Sequence, residues 1–533
     1  GNAVDAAVTA AAVLGVAEPF SCGIGGGGFM VIYRASDGKV TTIDGRETAP
    51  AAMTPTSFWW ENGKAPAFFS TARYSGMSVG VPGTPATWAE ALEKYGTISL
   101  AAALGPAIQV ASRGFVVDQV FHDQIQSNAQ AFHDVPSSAA LYLKPDGTPI
   151  DVGTTFRNLD LAKTYARIAH LGLKGFYRGA VADAIVDTVQ HPPVTLTATP
   201  GWWHPGVMTM RDLHNYVAPE RAPTHVSYRG ADVYSMGPPS SGGSTAGEAL
   251  NILAGYDLSA MPRAEALHYY LEASRYSYAD RNEYLGDPDF VAVPLNGLLS
   301  PAYAATRRSL ITGFAADPPV VKPGDPWPFN GGSGASVQMS SAESEPGQTT
   351  HLSVVDRAGN AVSYTFTIEQ IGGSGMVVPG FGFLLNNELT DFNYDSTGTA
   401  NQVEGGKRPR SSMSPTIVLR NGKPFLVLGS PGGATIITTV LQMLVNRLDF
   451  AMDLPQALAS PRASQRNSTT TQAEQAFIDT YGAALVARKQ AFSPTTEIGA
   501  AAAIEFLGGG KVLAAAEPVR RGGGSALVES PAP

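Results

Sequence analysis

The sequence predicts an α+β fold, and three observations carry that reading. Residues 348–367 hold two runs of alternating polar and apolar residues about a glycine-containing turn, and residues 29–44 hold two strand-like runs about Ser36-Asp37-Gly38, both read as antiparallel hairpins. Residues 84–190 follow a helical grammar of caps, first-turn prolines and glycine stops. The 58 Gly and 39 Pro, set against a charged fraction of only 15%, imply a compact protein with many tight turns.

Taken in order, residues 2–15 read as a helix of small residues, with Asn2 as cap, Gly15 as stop and Pro19 beyond. The run Gly23 to Gly28 formally satisfies G-x-G-x-x-G, but a dinucleotide site needs a strand before the glycines and a helix after them. Here the helix comes first, so the glycines are read as allowing close backbone packing. A strand over 29–34 turns at Ser36-Asp37-Gly38 and returns over 39–44. Arg46 follows at the strand end, as an exposed ion-paired residue or a functional one. Helices are predicted from Thr84-Pro85 to Gly96, over 99–113 with Gly114 as stop, and over 118–132, 159–170 and 179–189. Ser240 to Thr245 reads as a cap for a helix from Ala246, since it lacks the P-loop lysine. Residues 263–281 form a long amphipathic segment, and Pro-, Gly- and Ser-rich residues 315–348 form a mobile linker ending at Gln348.

The hairpin after that linker is the most informative stretch. A turn centred on Ala358 makes Val354 face Val362, Leu352 face Tyr364 and Thr349 face Thr367, with one face apolar and the other lined by hydroxyls. Next come a strand over 382–386, the carboxylates Glu388 and Asp391, and a loop carrying Ser411 and Ser412. The two acids suit acid/base work or amine binding, or are solvated loop residues. A strand over 424–430 enters Pro431-Gly432-Gly433 and then a helix over 434–448. This arrangement points backbone N–H groups at a developing oxyanion, and is also how tight βα turns are built.

Composition limits the partners. The net charge of -9 argues against nucleic acid or an anionic membrane surface, and no uninterrupted apolar stretch is long enough to span a bilayer. Cys22 is the one cysteine, so neither an internal disulfide nor a cysteine-built metal site is available. The nine histidines show no metal-ligand spacing, and no catalytic metal is expected.

Together the segments GNAVDAAV, GIGGGGFM, DGRETAP, SYADRNEYLGDPDF, TTHLSVVD, NNELTDF, KRPRSSMSPTIV, GSPGGATIITTVLQ and RRGGGSALV closely resemble the γ-glutamyltranspeptidase family. The resemblance implies an N-terminal-nucleophile (Ntn) hydrolase fold, a four-layer αββα sandwich. It implies a precursor cut between Gln348 and Thr349, with 1–348 as an N-terminally truncated large subunit and 349–533 as a small catalytic subunit, associated as a heterodimer. Thr349 would be the nucleophile, its freed α-amino group the adjacent base, Thr367 its orienting partner, and Gly432 and Gly433 the oxyanion hole. Arg46, Ser411 and Ser412 would hold the substrate α-carboxylate, with Glu388 and Asp391, helped by Glu369, on the α-ammonium group at the opposite end of the pocket. The implied reaction passes a γ-glutamyl group from an amide such as glutathione to water, an amino acid or a peptide, needs no cofactor, and takes place outside the cell or in the periplasm. Glu369 stands where members often carry Asn and Glu388 where some carry Gln, and the segment from Phe392 to Lys407 is short, as in lidless Bacillus-type members. A cephalosporin or glutaryl acylase and a non-catalytic γ-glutamyl-binding relative are the alternatives on this scaffold.

Overall fold

The computed structural model describes residues 1–67, 71–331 and 349–529. The alternating segments pair into two antiparallel sheets. One has the strand order Glu220–Arg221, Lys39–Gly45, Gly27–Arg34, Ala361–Thr367, Thr349–Val355. The other runs Lys511–Ala516, Ala502–Gly508, Lys423–Gly429, Thr416–Arg420, Ala231–Ser235, Thr224–Tyr228. They stack through an apolar cluster of Val31, Tyr33, Ala361, Ile417, Leu419 and Val427. A polar staple adds to it, for the Ser363 hydroxyl donates to Leu428 O and accepts from Thr416 N, each at 3.0 Å.

Helices cover both outer faces, giving the four expected layers. Ala3–Ala17 packs on the first sheet in a core with Met30, Ile32, Tyr364 and Phe366. Gly242–Leu253, Arg263–Tyr284 and Thr435–Leu448 cover the second, around Val226, Val418, Leu426 and Leu428. Each sheet draws strands from both sides of residue 348, because Gly27–Tyr33 pairs with Ala361–Thr367, and Thr416–Leu419 with Asp232–Ser235. No helix of the described residues is long and apolar enough to cross a membrane.

Several expectations change. The first helix runs past Gly15 to Ala17, and a Cβ at Gly15 would meet the Tyr165 hydroxyl at 2.8 Å, so this glycine serves close packing rather than termination. Residues 382–386 form no strand; Leu384 makes only an isolated bridge to Val377. The helix expected from Ala246 begins at Gly242, inside the run read as its cap; Ser240 Oγ accepts from Gly242 N at 3.1 Å, whereas the Ser241 hydroxyl makes no cap bond and donates to Ser411 O at 2.6 Å. The segment read as amphipathic is buried along its whole length from Tyr270 to Tyr284, with its charges paired inside the protein, as in Glu272–Arg275 and Asp280–Arg307. Of the expected linker, residues 315–331 hold one short turn, Trp327–Phe329, while the stretch to Gln348 lies outside the described residues.

Candidate active site

Thr349 opens an edge strand and is buried, directly opposite Thr367 as the hairpin arithmetic predicts. Alternation along the strands sends Thr349, His351, Ser353, Ser363, Thr365 and Thr367 to one face, toward the second sheet. His351 is clasped there, with Nδ1 2.8 Å from Thr365 Oγ1 and Nε2 3.0 Å from Ser353 Oγ. Burial pushes its pKa down to about 3, so the ring is a neutral spacer at physiological pH. Gly429 lies against this ring, and a Cβ there would come within 2.7 Å of His351 Nε2. Ser363 therefore meets Leu428, and His351 meets Gly429. The next inward-facing pair, Thr349 and Thr367, falls level with the turn that follows Gly429.

That turn carries Gly432 at φ 140° and Gly433 at φ 55°, conformations that side chains rarely adopt. Their carbonyls accept from Thr435 N and Ile436 N as the helix Thr435–Leu448 begins. Their own N–H groups have no hydrogen-bond acceptor among the described residues, which leaves two donors for a developing oxyanion. The Gly23–Gly28 run does the close packing predicted for it, since a Cβ on Gly26 would lie 2.9 Å from the Thr367 carbonyl carbon.

Beyond Thr367 the chain turns sharply. Thr367 Oγ1 accepts the Glu369 N–H at 2.8 Å, and Glu369 sits at φ 77° in the left-handed region. The Glu369 carboxylate accepts from the Asn387 amide and from Gln370 Nε2. Burial, reinforced by the charge of Asp391, pushes its pKa up to about 8.

Glu388 and Asp391 lie on one 3-10 turn, Glu388–Asp391, and both meet Arg46. Arg46 is fully buried: Nη1 donates to Glu388, Nη2 to Asp391 and Arg410 O, and Nε to Pro409 O. Of the five guanidinium N–H groups, four are thus engaged, and one on Nη1 is left. Glu388 Oε2 is buried without a hydrogen-bond partner among the described residues. The cationic and anionic groups therefore interlock in direct contact, instead of standing at opposite ends of a pocket. Where Arg46 meets Glu388, one N–H donor and one carboxylate oxygen are thus left without a partner among the described residues, a match for an α-amino acid head group.

Arg46 reaches Ser411 and Ser412 through the backbone just before them, at Pro409 and Arg410. Ser411 Oγ accepts from Met413 N, and Ser412 Oγ accepts from Arg281 Nη2 at 2.8 Å. Arg281 was not singled out by sequence reasoning, nor were His351 or Glu47. Glu47, beside Arg46, is fully buried with no partner for either carboxylate oxygen among the described residues, and burial pushes its pKa up to about 8. An arginine and a glutamate inside an otherwise buried segment are the signals that could have found them.

The model of the γ-glutamyltranspeptidase family matches residues 1–527. The chain belongs to the γ-glutamyltranspeptidase family. It is 44% identical over 467 residues to the glutathione hydrolase proenzyme of Bacillus subtilis strain 168, covering 87% of this chain and 76% of that protein. It is 40% identical over 475 residues to the Escherichia coli K12 glutathione hydrolase proenzyme, with shares of 87% and 77%. Among solved structures, a Bacillus halodurans cephalosporin acylase superposes with a TM-score of 0.84 at 27% identity, over 100% of this chain and 92% of that one. The Helicobacter pylori γ-glutamyltranspeptidase gives 0.54 at 36% identity, over 58% and 85%. The αββα sandwich is thus the Ntn-hydrolase architecture of γ-glutamyltranspeptidases and their acylase relatives.

Proposed function

We propose that this family member is a self-processing γ-glutamyl transferase and hydrolase acting on amides such as glutathione, with Thr349 as nucleophile. The observation that carries the reading is the Nη1–H of Arg46 and the Oε2 of Glu388, both without a partner among the described residues, at the same end of the sheet as Thr349 and separated from it by two strands. The α-carboxylate of a γ-glutamyl group takes the Arg46 donor, with Ser411 and Ser412 beside it. The α-ammonium takes Glu388, with Asp391 and Glu369 near. Thr349 Oγ attacks the γ-carbonyl, its proton passes to the freed α-amino group, and Gly432 and Gly433 N–H receive the oxyanion. The amine leaves with that proton, and water or a second amine then displaces the ester. Thr367, which accepts the Glu369 N–H, couples the nucleophile strand to the ammonium end.

Maturation would follow from the same residue. Thr349 Oγ attacks the Gln348 carbonyl, the acyl group shifts from N to O, and hydrolysis frees the Thr349 amine. Fragments 1–348 and 349–533 then remain together as a heterodimer, because both sheets are built from both. The family resemblance supports a secreted or periplasmic setting. Intact mass and N-terminal sequencing of the expressed precursor test this, with two fragments expected and the smaller starting at Thr349. Thr349→Ala should yield a single uncut chain without γ-glutamyl hydrolysis, and cleavage persisting in that variant would refute the assignment. The acylase reading has the whole-chain likeness to the Bacillus halodurans enzyme in its favour. Parallel assays with a glutaryl amide decide, since that amide lacks the ammonium group that Glu388 would bind.

A further inference from the structure

We propose that Glu18 is a positioning residue for the nucleophile: through the Thr350 hydroxyl it holds the first rung of the edge strand, and so sets how fast Thr349 cuts the chain and turns over its donor. The inference rests on the Thr349 acyl-enzyme reading and adds to it a residue that touches no reacting atom. Alternation sends Thr350 to the face opposite Thr349, where Leu352 and Val354 pack in the core of the helix Ala3–Ala17. There Thr350 Oγ1, on a buried residue, donates to Glu18 Oε2 at 3.0 Å. Among the described residues this strand has a neighbour on one side only, and the ends of such strands are where local opening begins. A bond from its second residue to a fixed group therefore restrains the residue before it.

Glu18 is such a group. It closes the first helix, its N–H donating to Leu14 O at 2.6 Å, and its carbonyl accepts from Ser21 N at 3.0 Å, Cys22 N at 3.2 Å and Cys22 Sγ at 3.7 Å. Phe20, in the same turn, is fully buried against the rings of Phe121 and Tyr142, with centroids at 4.9 and 4.8 Å. The turn also grips the chain beyond the opposite strand, since Ser21 O accepts from Ile368 N at 3.3 Å and Phe20 O from Gly372 N at 2.7 Å. Ile368 directly follows Thr367. One turn thus fastens both sides of the Thr349–Thr367 rung, by a side chain at Thr350 and by backbone at Ile368. Misplacing an attacking atom by about 1 Å costs about a hundredfold in rate, so a bond one residue away can govern chemistry it does not join. Arg46 follows the strand Lys39–Gly45, with two strands between it and Thr349, so binding of the glutamyl head group should not depend on Glu18.

The test follows full-length precursor made by cell-free synthesis, with self-cleavage timed on a denaturing gel. Thr350→Val and Glu18→Ala should each slow it by about tenfold, the scale of one hydrogen bond to a charged group. The double variant should also be slower by about tenfold rather than about a hundredfold, because both changes remove one contact. Thr350→Ser and Glu18→Gln keep the donor and the acceptor, and should cleave within about threefold of the unaltered chain. Once processed, the slow variants should turn over a γ-glutamyl anilide with lower kcat and unchanged KM, a split that general loosening of the fold does not give. Should Glu18→Ala not fold, Thr350→Val against Thr350→Ser carries the same comparison. Unslowed cleavage in Thr350→Val, multiplying effects in the double variant, or a raised KM at unchanged kcat would overturn the role of Glu18. An unaltered precursor that stays whole, or is cut elsewhere than before Thr349, would instead overturn the acyl-enzyme reading beneath it.

Discussion

Arg46→Met is the sharpest perturbation of the site, because the side chain it removes is fully buried and serves four acceptors. Its guanidinium neutralises Glu388, whose side chain is 1% exposed, and Asp391 at 28%. Methionine preserves most of the apolar stem, so the loss is chiefly electrostatic. Leaving one member of a buried pair uncompensated costs about 3–5 kcal/mol, and the carbonyls of Pro409 and Arg410 also lose donors. An unfolding entropy of about 2.1 cal/mol/K per residue gives about 1.1 kcal/mol/K over the 533 residues. A loss of about 4 kcal/mol therefore lowers Tm by about 4 °C, within reach of scanning calorimetry. Adding Glu388→Gln removes the stranded charge and should recover about half of that loss, a coupling that single variants do not reveal. Activity should stay lost in both, and Arg46→Lys should not restore it, since an ammonium cannot reproduce the guanidinium fork. An unchanged Tm in Arg46→Met, or no recovery on adding Glu388→Gln, would refute the interlocked cluster.

Other expectations follow from neighbouring contacts. Gly429→Ala should drive the His351 ring out of its clasp, lowering stability by about 1–3 kcal/mol and slowing self-cleavage, whereas Gly422→Ala on the same sheet meets no atoms within 4 Å and should leave cleavage intact despite its strained φ of 72°; denaturant titration and a cleavage time course separate them. Glu369, with a folded pKa raised to about 8 from 4.5, keeps its proton in the native state at a pH where the unfolded chain has released it. Its effect on stability is therefore most favourable below about pH 4.5 and is lost as pH rises toward 8, and Glu369→Gln should flatten the Tm profile across that window. By the same linkage an ammonium substrate, which favours the ionised carboxylate, should release a proton on binding below pH 8, seen as a buffer-dependent heat in calorimetry.

The hairpin was legible to the residue, since a period of two and a compact turn leave little freedom in register, and the observed pairs include Thr349 with Thr367 and Leu352 with Tyr364. The helices were legible where capping is local, as at Asn2, Ser99 and Asp118, all of which cap through their side chains. Residues 382–386 misled because a short apolar run says nothing about whether a partner strand lies alongside. Arg46 was ambiguous for a related reason. Its choice between an exposed ion pair and a buried site depends on Glu388 and Asp391, more than three hundred positions away. The helix Arg263–Tyr284 hid Arg281 because its polar residues satisfy one another inside the fold, a state in which hydropathy loses its meaning.

The placement of Thr349 has a mechanical side. It is the first rung of the outermost strand, and pairing with Thr367 begins at this residue. All seven pairs of the ladder among the described residues, from Thr349–Thr367 to Val355–Ala361, lie on the side that a cut immediately before Thr349 would retain. If Thr349 is the residue at which the chain is cut, as proposed, these seven rungs stay in place and the new terminus takes its orientation from them.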